Sequence, residues 1–388
     1  MREGRLFTVI VLGSAQTIAW ASSYYLPAVL ADPVAHDTGI STNWFYGIFS
    51  AALMLAALLG PKVGRMIDAA GGNGVLAGSN LLFAAGLLTL AVAHNLTLLI
   101  AAWTLLGIGM GSGLYDAAFA ALGRLYGLDA RKSITGITLL AGFASTIGWP
   151  LTTWGASTIG WRETCVAWAA IHIFVALPLN YWILPKATAR VAATKKQQGT
   201  VTIDRTMILL GFAFASAWVM STGLSAHFPR ILEAAGATQA QAIAAGALIG
   251  PAQVAARLLE AGPLGRLSPL LSARLAMLTH PIGAAIILVA GGSGLASVFA
   301  ILHGSGNGII SIARGTVPLT IYGSENYGYR LGLLGAPARF LSAIAPLGFA
   351  LLMDHLGARV LLVSSALSLS AFAAFFLIRV PTAVAHAD

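Results

Sequence analysis

The chain has 388 residues, of which 57% are hydrophobic and only 9% are charged. A soluble protein of this length has roughly a quarter of its residues as Asp, Glu, Lys and Arg, so this composition excludes an ordinary soluble domain. Apolar segments of about 20 residues, each long enough to cross a bilayer as a helix, recur along the chain. These runs are continuous rather than alternating, which predicts an all-α membrane protein and not a β-barrel.

Twelve segments have the length and hydropathy of membrane-spanning helices. In chain order they are 6–30, 43–61, 74–93, 97–122, 133–155, 164–184, 206–230, 240–260, 271–291, 295–320, 330–352 and 358–379. The stretch 186–205 lies midway, is charged and has few large apolar residues, so it is predicted to be a cytoplasmic linker. We therefore predict an N-terminal six-helix bundle at 1–185 and a C-terminal six-helix bundle at 206–388.

The basic residues predict the orientation in the membrane. If the N-terminus is cytoplasmic, sixteen of the 22 Lys and Arg residues fall on that side, and both termini do so as well. In a bacterial cell this membrane would be the inner membrane. The net charge of +9 is then explained by the membrane topology. We predict that the basic linker contacts anionic lipid headgroups and that the protein does not bind nucleic acid. The single cysteine, Cys165, excludes an internal disulfide, and we predict neither a cofactor nor a metal site.

Two pairs of segments show that the chain has duplicated itself. GIGMGSG at 107–113 and GSGNG at 304–308 lie about 197 residues apart, and GPKVGR at 60–65 and GPLGR at 262–266 have a similar offset. A duplicated membrane chain of this size is typically a solute transporter with two related halves.

The loop after the second span reads GPKVGRMIDAAG at 60–71. It is similar to the signature loop of the major facilitator superfamily, in which a Gly and a basic residue precede Asp and Gly between helices two and three. With the twelve spans, the central linker and a degenerate copy of the loop after span eight, the resemblance covers essentially the whole chain. It implies two pseudo-symmetric six-helix bundles, alternating access and function as a monomer.

The same resemblance implies gating roles for four residues of this loop: Gly64, Arg65, Asp68 and Gly71. In the family, the aspartate contacts basic groups and helix N-termini of the neighbouring half and closes the cytoplasmic side. The alternative is that Asp68 and Arg65 only cap helices and set topology. Trp103 stands where many drug and sugar carriers have an arginine, so the proton relay of that arginine is not carried over.

Four charged residues stand out within the predicted spans, because a charge near the bilayer centre costs at least about 2.5–3.5 kcal/mol. They are Asp116, Arg257, Arg314 and Arg339. Alignment of the two glycine-rich segments places Asp116 one position before the equivalent of Arg314. Because helices four and ten line the central cavity of the family fold, we predict an opposite-charge pair there. The alternatives are a permanent ion pair within one half, or contact of Asp116 with solvent at the cytoplasmic mouth.

Gln253, Arg257 and Glu260 have helical spacing and share one face of span eight. Arg257 resembles the arginine that anchors the substrate in monocarboxylate porters, and a guanidinium matches a carboxylate in shape and charge. The aspartate that those porters carry one turn earlier corresponds to Gln253. Proton coupling is therefore assigned to Asp116 or Glu260. The alternative is that Glu260 only neutralises Arg257.

Further residues are candidates for contact with the substrate. Gln16, Trp20 and Tyr24 recur every four residues along span one, which lines the cavity in the family fold, although Tyr24 also suits the membrane interface. Arg339 follows Pro337 and could satisfy the carbonyls that this proline frees. The predicted substrate-binding residues are Arg257, Arg314, Gln16, Trp20, Tyr24, Tyr115, His303 and Arg339, with His303 alternatively a neutral hydrogen-bonding partner.

Three arginines against two acids make the predicted cavity positive. We therefore predict a secondary active transporter for a small organic anion such as a monocarboxylate, coupled to protons or another ion. The alternative is an efflux permease for a hydrophobic or weakly charged drug or metabolite. The chain has no phosphate-binding loop and no nucleophile elbow, so it is not predicted to be an enzyme.

Overall fold

The computed structural model describes residues 3–184 and 201–379. Nearly all of this part is helical and it contains no β-strand, so the predicted all-α class is confirmed. Residues 186–200 of the predicted linker lie outside the described residues.

Contacts between Cα atoms divide the chain into two units. Unit 1 comprises the described part of Met1–Thr200 together with Ser324–Ala336, and unit 2 comprises Val201–Gly323 with the described part of Pro337–Asp388. The bundles at 1–185 and 206–388 were predicted from the repeat and from the membrane crossings. The contacts between Cα atoms test neither of these. That division stays a prediction.

Unit 1 contains nine consecutive α-helices, and the last continues through two π-helical turns. They are α1 (Glu3–Ala21), α2 (Pro27–Thr38), α3 (Thr42–Ala70), α4 (Asn73–Ala91), α5 (Leu96–Gly113), α6 (Tyr115–Tyr126), α7 (Arg131–Ala141), α8 (Ala144–Thr158) and α9 (Trp161–Ile171), with the turns at His172–Ala176 and Leu179–Ile183.

The helices of the second half of the chain are α10 (Arg205–Ala234), α11 (Gln239–Ala247), α12 (Ile249–Ala261), α13 (Pro269–Ala290), α14 (Gly292–Tyr322), α15 (Tyr327–Leu356) and α16 (Val360–Leu377). Asp204 caps α10 through a bond from the Met207 N–H at 2.7 Å. The first ten residues of α15 belong to unit 1, and its remainder belongs to unit 2.

Nine segments of the described residues are long and apolar enough to cross a membrane. Two of them, Leu96–Thr158 with 63 residues and Tyr327–Leu377 with 51, exceed the length of about 20 residues that one crossing needs. The membrane-protein class is thus confirmed, while the count of twelve spans stays a prediction.

Several predicted spans are not continuous helices. Span 6–30 is interrupted between Ala21 and Pro27, where the proline starts α2 because its missing N–H costs nothing at a helix N-terminus. Span 97–122 is interrupted at Leu114, 133–155 between Ala141 and Ala144, and 240–260 at Leu248. Hydropathy did not reveal these interruptions, because each flanking segment remains apolar.

Buried polar side chains join helices inside unit 1. His172, in the first π-helical turn, hydrogen-bonds through Nδ1 with Asn80 Oδ1 of α4 at 2.9 Å and through Nε2 with Ser22 Oγ at 2.7 Å. All three side chains are buried. Unsatisfied polar groups are costly in an apolar surrounding, so this arrangement ties α4 to the end of α9.

Unit 2 has a similar buried contact, in which the histidine lies on the earlier of the two helices. His280 of α13 hydrogen-bonds with Ser364 Oγ of α16 at 2.9 Å, and its Nδ1 lies 3.2 Å from Nδ1 of His303 in α14. Each unit therefore contains a buried histidine that joins two of its helices.

Candidate functional site

The fourth predicted span breaks immediately before Asp116. Leu114 has an extended backbone, with φ −87° and ψ −169°, and separates α5 from α6. Gln16 donates from Nε2 to the carbonyl oxygen of Gly113 at 2.6 Å, one of the last carbonyls of α5, which lack intrahelical donors. The prediction of one helix over 97–122 was wrong here, because the backbone of Leu114 leaves the helical conformation directly after the glycine-rich segment.

The break determines where Asp116 lies. Its side chain is buried in the first turn of α6, where an acidic group interacts favourably with the helix dipole. It shares a small void with Gly60 and Gly64 of α3 and with Gly328 of α15. Asp116 thus lies in unit 1 and Arg314 in unit 2, and the predicted pair between them stays a prediction.

In unit 1, α3 and the beginning of α15 cross at very short range. A Cβ atom on Gly64 would collide with the carbonyl of Gly328, and one on Gly332 would collide with the backbone of Gly60. The four glycines form two small-xxx-small motifs, Gly60 to Gly64 and Gly328 to Gly332, which allow helix backbones to approach closely.

The prediction of a loop at 60–71 was wrong, because residues 60–70 form the last turns of α3. These turns contact the first turn of α15. Asp68 accepts hydrogen bonds from the backbone N–H groups of Gly328 and Tyr329, both at 2.9 Å. The Cζ atom of Arg65 lies 3.9 Å from the centroid of the Tyr329 ring, a cation–π contact. Gly71 ends α3 with φ +88°, a conformation that favours glycine. The structure therefore brings Gly64, Arg65 and Asp68 together on α15.

One stretch of α14 in unit 2 contains the predicted anchoring residue Arg314 and is contacted by the other, Arg257. Arg257 of α12 is 6% exposed and donates from Nε to Ser311 Oγ at 3.3 Å and from a terminal nitrogen to Gln253 Oε1 at 3.4 Å. The Cζ atom of Arg314, also 6% exposed, lies 4.3 Å from the centroid of the Trp218 ring. Ser311 and Arg314 are three residues apart on one helix and hence neighbours on its surface.

Glu260, one turn after Arg257, contacts a different helix. Ser272 of α13 donates from Oγ to Glu260 Oε2 at 3.0 Å, and the glutamate is buried. Glu260 therefore contacts α13, whereas Arg257 contacts α14.

Two predicted substrate contacts have other surroundings. His303 is buried between His280, Phe228 and Phe299, with ring centroids 5.2, 6.4 and 6.0 Å away. These neighbours are typical of a histidine in a protein interior. They agree with the alternative given above, in which His303 is a neutral hydrogen-bonding partner. Arg339 is half-buried in the unit 2 part of α15, and its carbonyl accepts from Ser342 Oγ at 2.9 Å.

The predicted residues of span one lie together in unit 1. The ring of Trp20 has its centroid 5.1 Å from that of Tyr24 and 4.8 Å from that of Tyr115. Tyr24 in turn lies 6.0 Å from Phe49 of α3. Gln16 occupies the preceding turn of α1 and reaches the helix break. The structure thus brings Trp20, Tyr24 and Tyr115 together, while a role of these side chains in substrate binding stays a prediction.

A family model described as the Major Facilitator Superfamily matches residues 12–317. This chain belongs to the Major Facilitator Superfamily. Among solved structures it is similar to that of the human organic anion transporter MFSD10 (TETRAN), with a TM-score of 0.74 and 17% identity. That similarity covers 98% of this chain and 100% of the human chain, and at this identity it establishes the fold. No curated protein sequence matches the chain.

Membership in the Major Facilitator Superfamily confirms the sequence-based family prediction and makes the chain an integral membrane transporter. Sequence reasoning missed Trp218 and Ser311, which contact the two arginines, and Gly328 and Gly332, which face the signature segment at 60–71. Two signals were present. Trp218 follows Trp20 by 198 residues, as Arg314 follows Asp116, and Gly328 to Gly332 has small-xxx-small spacing.

Proposed function

We propose that this transporter carries a small organic anion, such as a monocarboxylate, and that Arg257 and Arg314 bind its anionic group. The observation that carries this proposal is that the buried guanidinium of Arg257 bonds to Ser311 of α14, three residues before the second buried arginine, Arg314. A guanidinium has five N–H donors and no acceptor, so it is suited to a carboxylate and unsuited to a cation.

Ser311 and Trp218 support this assignment because they restrain the two cationic side chains before a ligand arrives. A hydrogen bond to Arg257 and a ring against Arg314 reduce the conformational entropy that ligand binding would cost. MFSD10, which has the same fold, is described as an organic anion transporter, and this description agrees with the proposed substrate class.

Protons are the proposed coupling ion, with Asp116 and Glu260 as their carriers. Both carboxyl groups are buried, and acids within membrane segments commonly belong to proton pathways. The proposed cycle is alternating access by a single chain in a bacterial inner membrane, with both termini cytoplasmic and lipid surrounding the helices. Gly64, Arg65, Asp68 and Gly71 would act in closing the cytoplasmic side.

Counterflow in liposomes tests the anion proposal. Purified protein is reconstituted, and the exchange of a panel of labelled carboxylates is measured with and without an imposed pH gradient. We expect exchange of at least one anion and its loss in Arg257→Ala and in Arg314→Ala. Arg230→Ala is the matched control, because that arginine is exposed and lies 3.6 Å from Asp354. Acceleration by the gradient would support proton coupling.

The aromatic cluster of unit 1 favours the second candidate, efflux of a hydrophobic or weakly charged compound. Export of such compounds from vesicles, with no carboxylate exchanged and with at least one arginine variant fully active, would replace the anion proposal by this one.

A further inference from the structure

Unit 1 carries a half-buried aromatic cluster formed by Trp20, Tyr24 and Tyr115. Each ring keeps part of its surface exposed, and the contacts around Trp20 are edge-to-face or tilted, with an interplanar angle of 63° to Tyr24 and 48° to Tyr115. Aromatic rings prefer such offset and edge-to-face contacts to a face-to-face sandwich. The exposed parts of these rings can therefore accept one more flat ring.

Two buried polar atoms of α1 accompany the cluster. Trp20 Nε1 and Gln16 Oε1 have no hydrogen-bond partner within residues 3–184 and 201–379. Gln16 is 1% exposed, and its bond to Gly113 orients the amide so that the oxygen remains available. A buried donor or acceptor that is left unsatisfied loses its hydrogen bonds to water without replacement, so a ligand that supplies a partner is favoured. A ligand group that both donates and accepts would satisfy the pair.

The repeat explains why this surface is neutral. Trp20 and Trp218 are 198 residues apart, as are Asp116 and Arg314. In unit 2, Trp218 contacts the guanidinium group of Arg314. In unit 1 the break at Leu114 places Tyr115 against Trp20, while Asp116 points to the α3–α15 crossing. The tryptophan thus contacts a buried arginine in unit 2 and an uncharged tyrosine in unit 1.

We infer that Trp20, Tyr24 and Tyr115, with the amide of Gln16, bind an aromatic ring that carries a hydroxyl group. The hydroxyl donates to Gln16 Oε1 and accepts from Trp20 Nε1, since a hydroxyl has one donor and two acceptor positions. The transported anion is then a hydroxyl-bearing aromatic carboxylate rather than a short aliphatic one. This substrate class rests on the proposed anion transport, whereas the ring subsite depends on unit 1 alone.

The first test compares three inhibitors of counterflow: 4-hydroxybenzoate, benzoate and cyclohexanecarboxylate. An aromatic contact and a neutral hydrogen bond each contribute about 0.5–1.5 kcal/mol, so each step of the series should weaken inhibition about three- to tenfold. Trp20→Phe should reduce the preference for 4-hydroxybenzoate over benzoate, because only the bond to Gln16 remains, and should retain the preference for benzoate over cyclohexanecarboxylate. Trp20→Leu should reduce both preferences. Trp154→Phe is the matched control, because Trp154 is 65% exposed.

The second test separates this inference from the anion proposal. Binding of phenol, which has no carboxylate, to the purified full chain is measured by calorimetry. We expect Trp20→Leu to weaken phenol binding at least threefold and Arg314→Ala to leave it unchanged. Equal inhibition by the three carboxylates, or phenol binding that is indifferent to Trp20, would overturn the ring subsite while anion exchange stood. Loss of all carboxylate exchange with retained Trp20-dependent phenol binding would instead overturn the anion proposal.

Discussion

The carboxylate of Asp68 accepts a hydrogen bond from the backbone N–H of Gly328 at 2.9 Å, although 260 residues separate them in the chain. A second bond of the same length comes from Tyr329. The first N–H groups of a helix have no intrahelical partner and carry a partial positive charge, so a carboxylate at this point is doubly favoured. The proposed gate therefore depends on an aspartate of α3 capping α15.

Asp68→Asn tests the cap. The amide keeps the shape of the side chain but loses the charge that strengthens both bonds, and hydrogen bonds to charged groups contribute about 1.5–3 kcal/mol each. We expect a lower melting temperature for the purified protein and at least a twofold slower counterflow. Asp129→Asn is the control, because Asp129 pairs with Arg5 at an exposed site, where such pairs contribute little. Equal effects of the two substitutions would show that Asp68 is an ordinary surface acid.

Gly332→Ala tests the close crossing of α3 and α15. The added methyl group would collide with the backbone at Gly60, and overpacking of this kind costs about 1–3 kcal/mol. We expect a reduced melting temperature and impaired transport. Gly348→Ala, on the same helix, meets no atom within 4 Å and should be neutral or slightly stabilising, because alanine has the higher helix propensity. An unchanged melting temperature in Gly332→Ala would contradict the geometry of the crossing.

Ser364→Ala tests the buried polar contact of unit 2. Loss of the hydroxyl removes a hydrogen-bond partner of buried His280, and we expect destabilisation of about 1–3 kcal/mol. The control is Ser370→Ala on the same helix, since Ser370 donates only to the carbonyl of Leu367 one turn earlier. Denaturant unfolding of the purified protein provides the comparison, and equal losses in the two variants would reject a special role for Ser364.

The buried contact between Asn80 and His172 in unit 1 allows an exchange experiment. Asn80→His combined with His172→Ser would reproduce there the residue types that unit 2 uses. We expect this double variant to be more stable than His172→Ser alone, because the new imidazole can hydrogen-bond with the serine. A double variant that is less stable than both single variants would show that the two contacts are not geometrically equivalent.

Asp37, outside the predicted spans, gives a pH-dependent prediction. The bond from Trp161 Nε1 at 2.8 Å is the main cause that lowers the pKa of Asp37 below its ordinary value of 3.8, followed by the bond with His36. Because the folded pKa is depressed, the contact stabilises the fold above pH 3.8 and its contribution is lost as the pH falls through the folded pKa. Trp161→Phe should therefore lower the melting temperature at neutral pH and have less effect below the folded pKa.

Asp37→Asn supplies the control for that measurement. If the charged bond is the cause, Trp161→Phe should have a smaller effect in the Asp37→Asn background than in the natural protein. Purely additive effects would show that Trp161 stabilises the chain by packing alone.

The sequence by itself determined the class of the molecule and the positions of its candidate residues. Long apolar runs must form helices in lipid, because only a helix satisfies the backbone of an isolated span from within the segment. This requirement is local and can be recognised in composition. The i+4 spacing that grouped Gln16, Trp20 and Tyr24 is local for the same reason. The segment at 60–71 identified the superfamily because its glycine, basic and acidic residues follow one another within a few positions.

Only the tertiary structure decided the partners of those residues. The Leu114 break, which apolar composition conceals, directs Tyr115 to Trp20 and Asp116 to the glycine crossing. Arg257 contacts Ser311, Arg314 contacts Trp218, and Asp68 contacts Gly328. Each of these contacts joins helices that are distant in the chain. Such a contact therefore depends on the rotation and separation of the two helices. Small residues at the helix crossings determine both, and the periodicity within a single helix does not encode them.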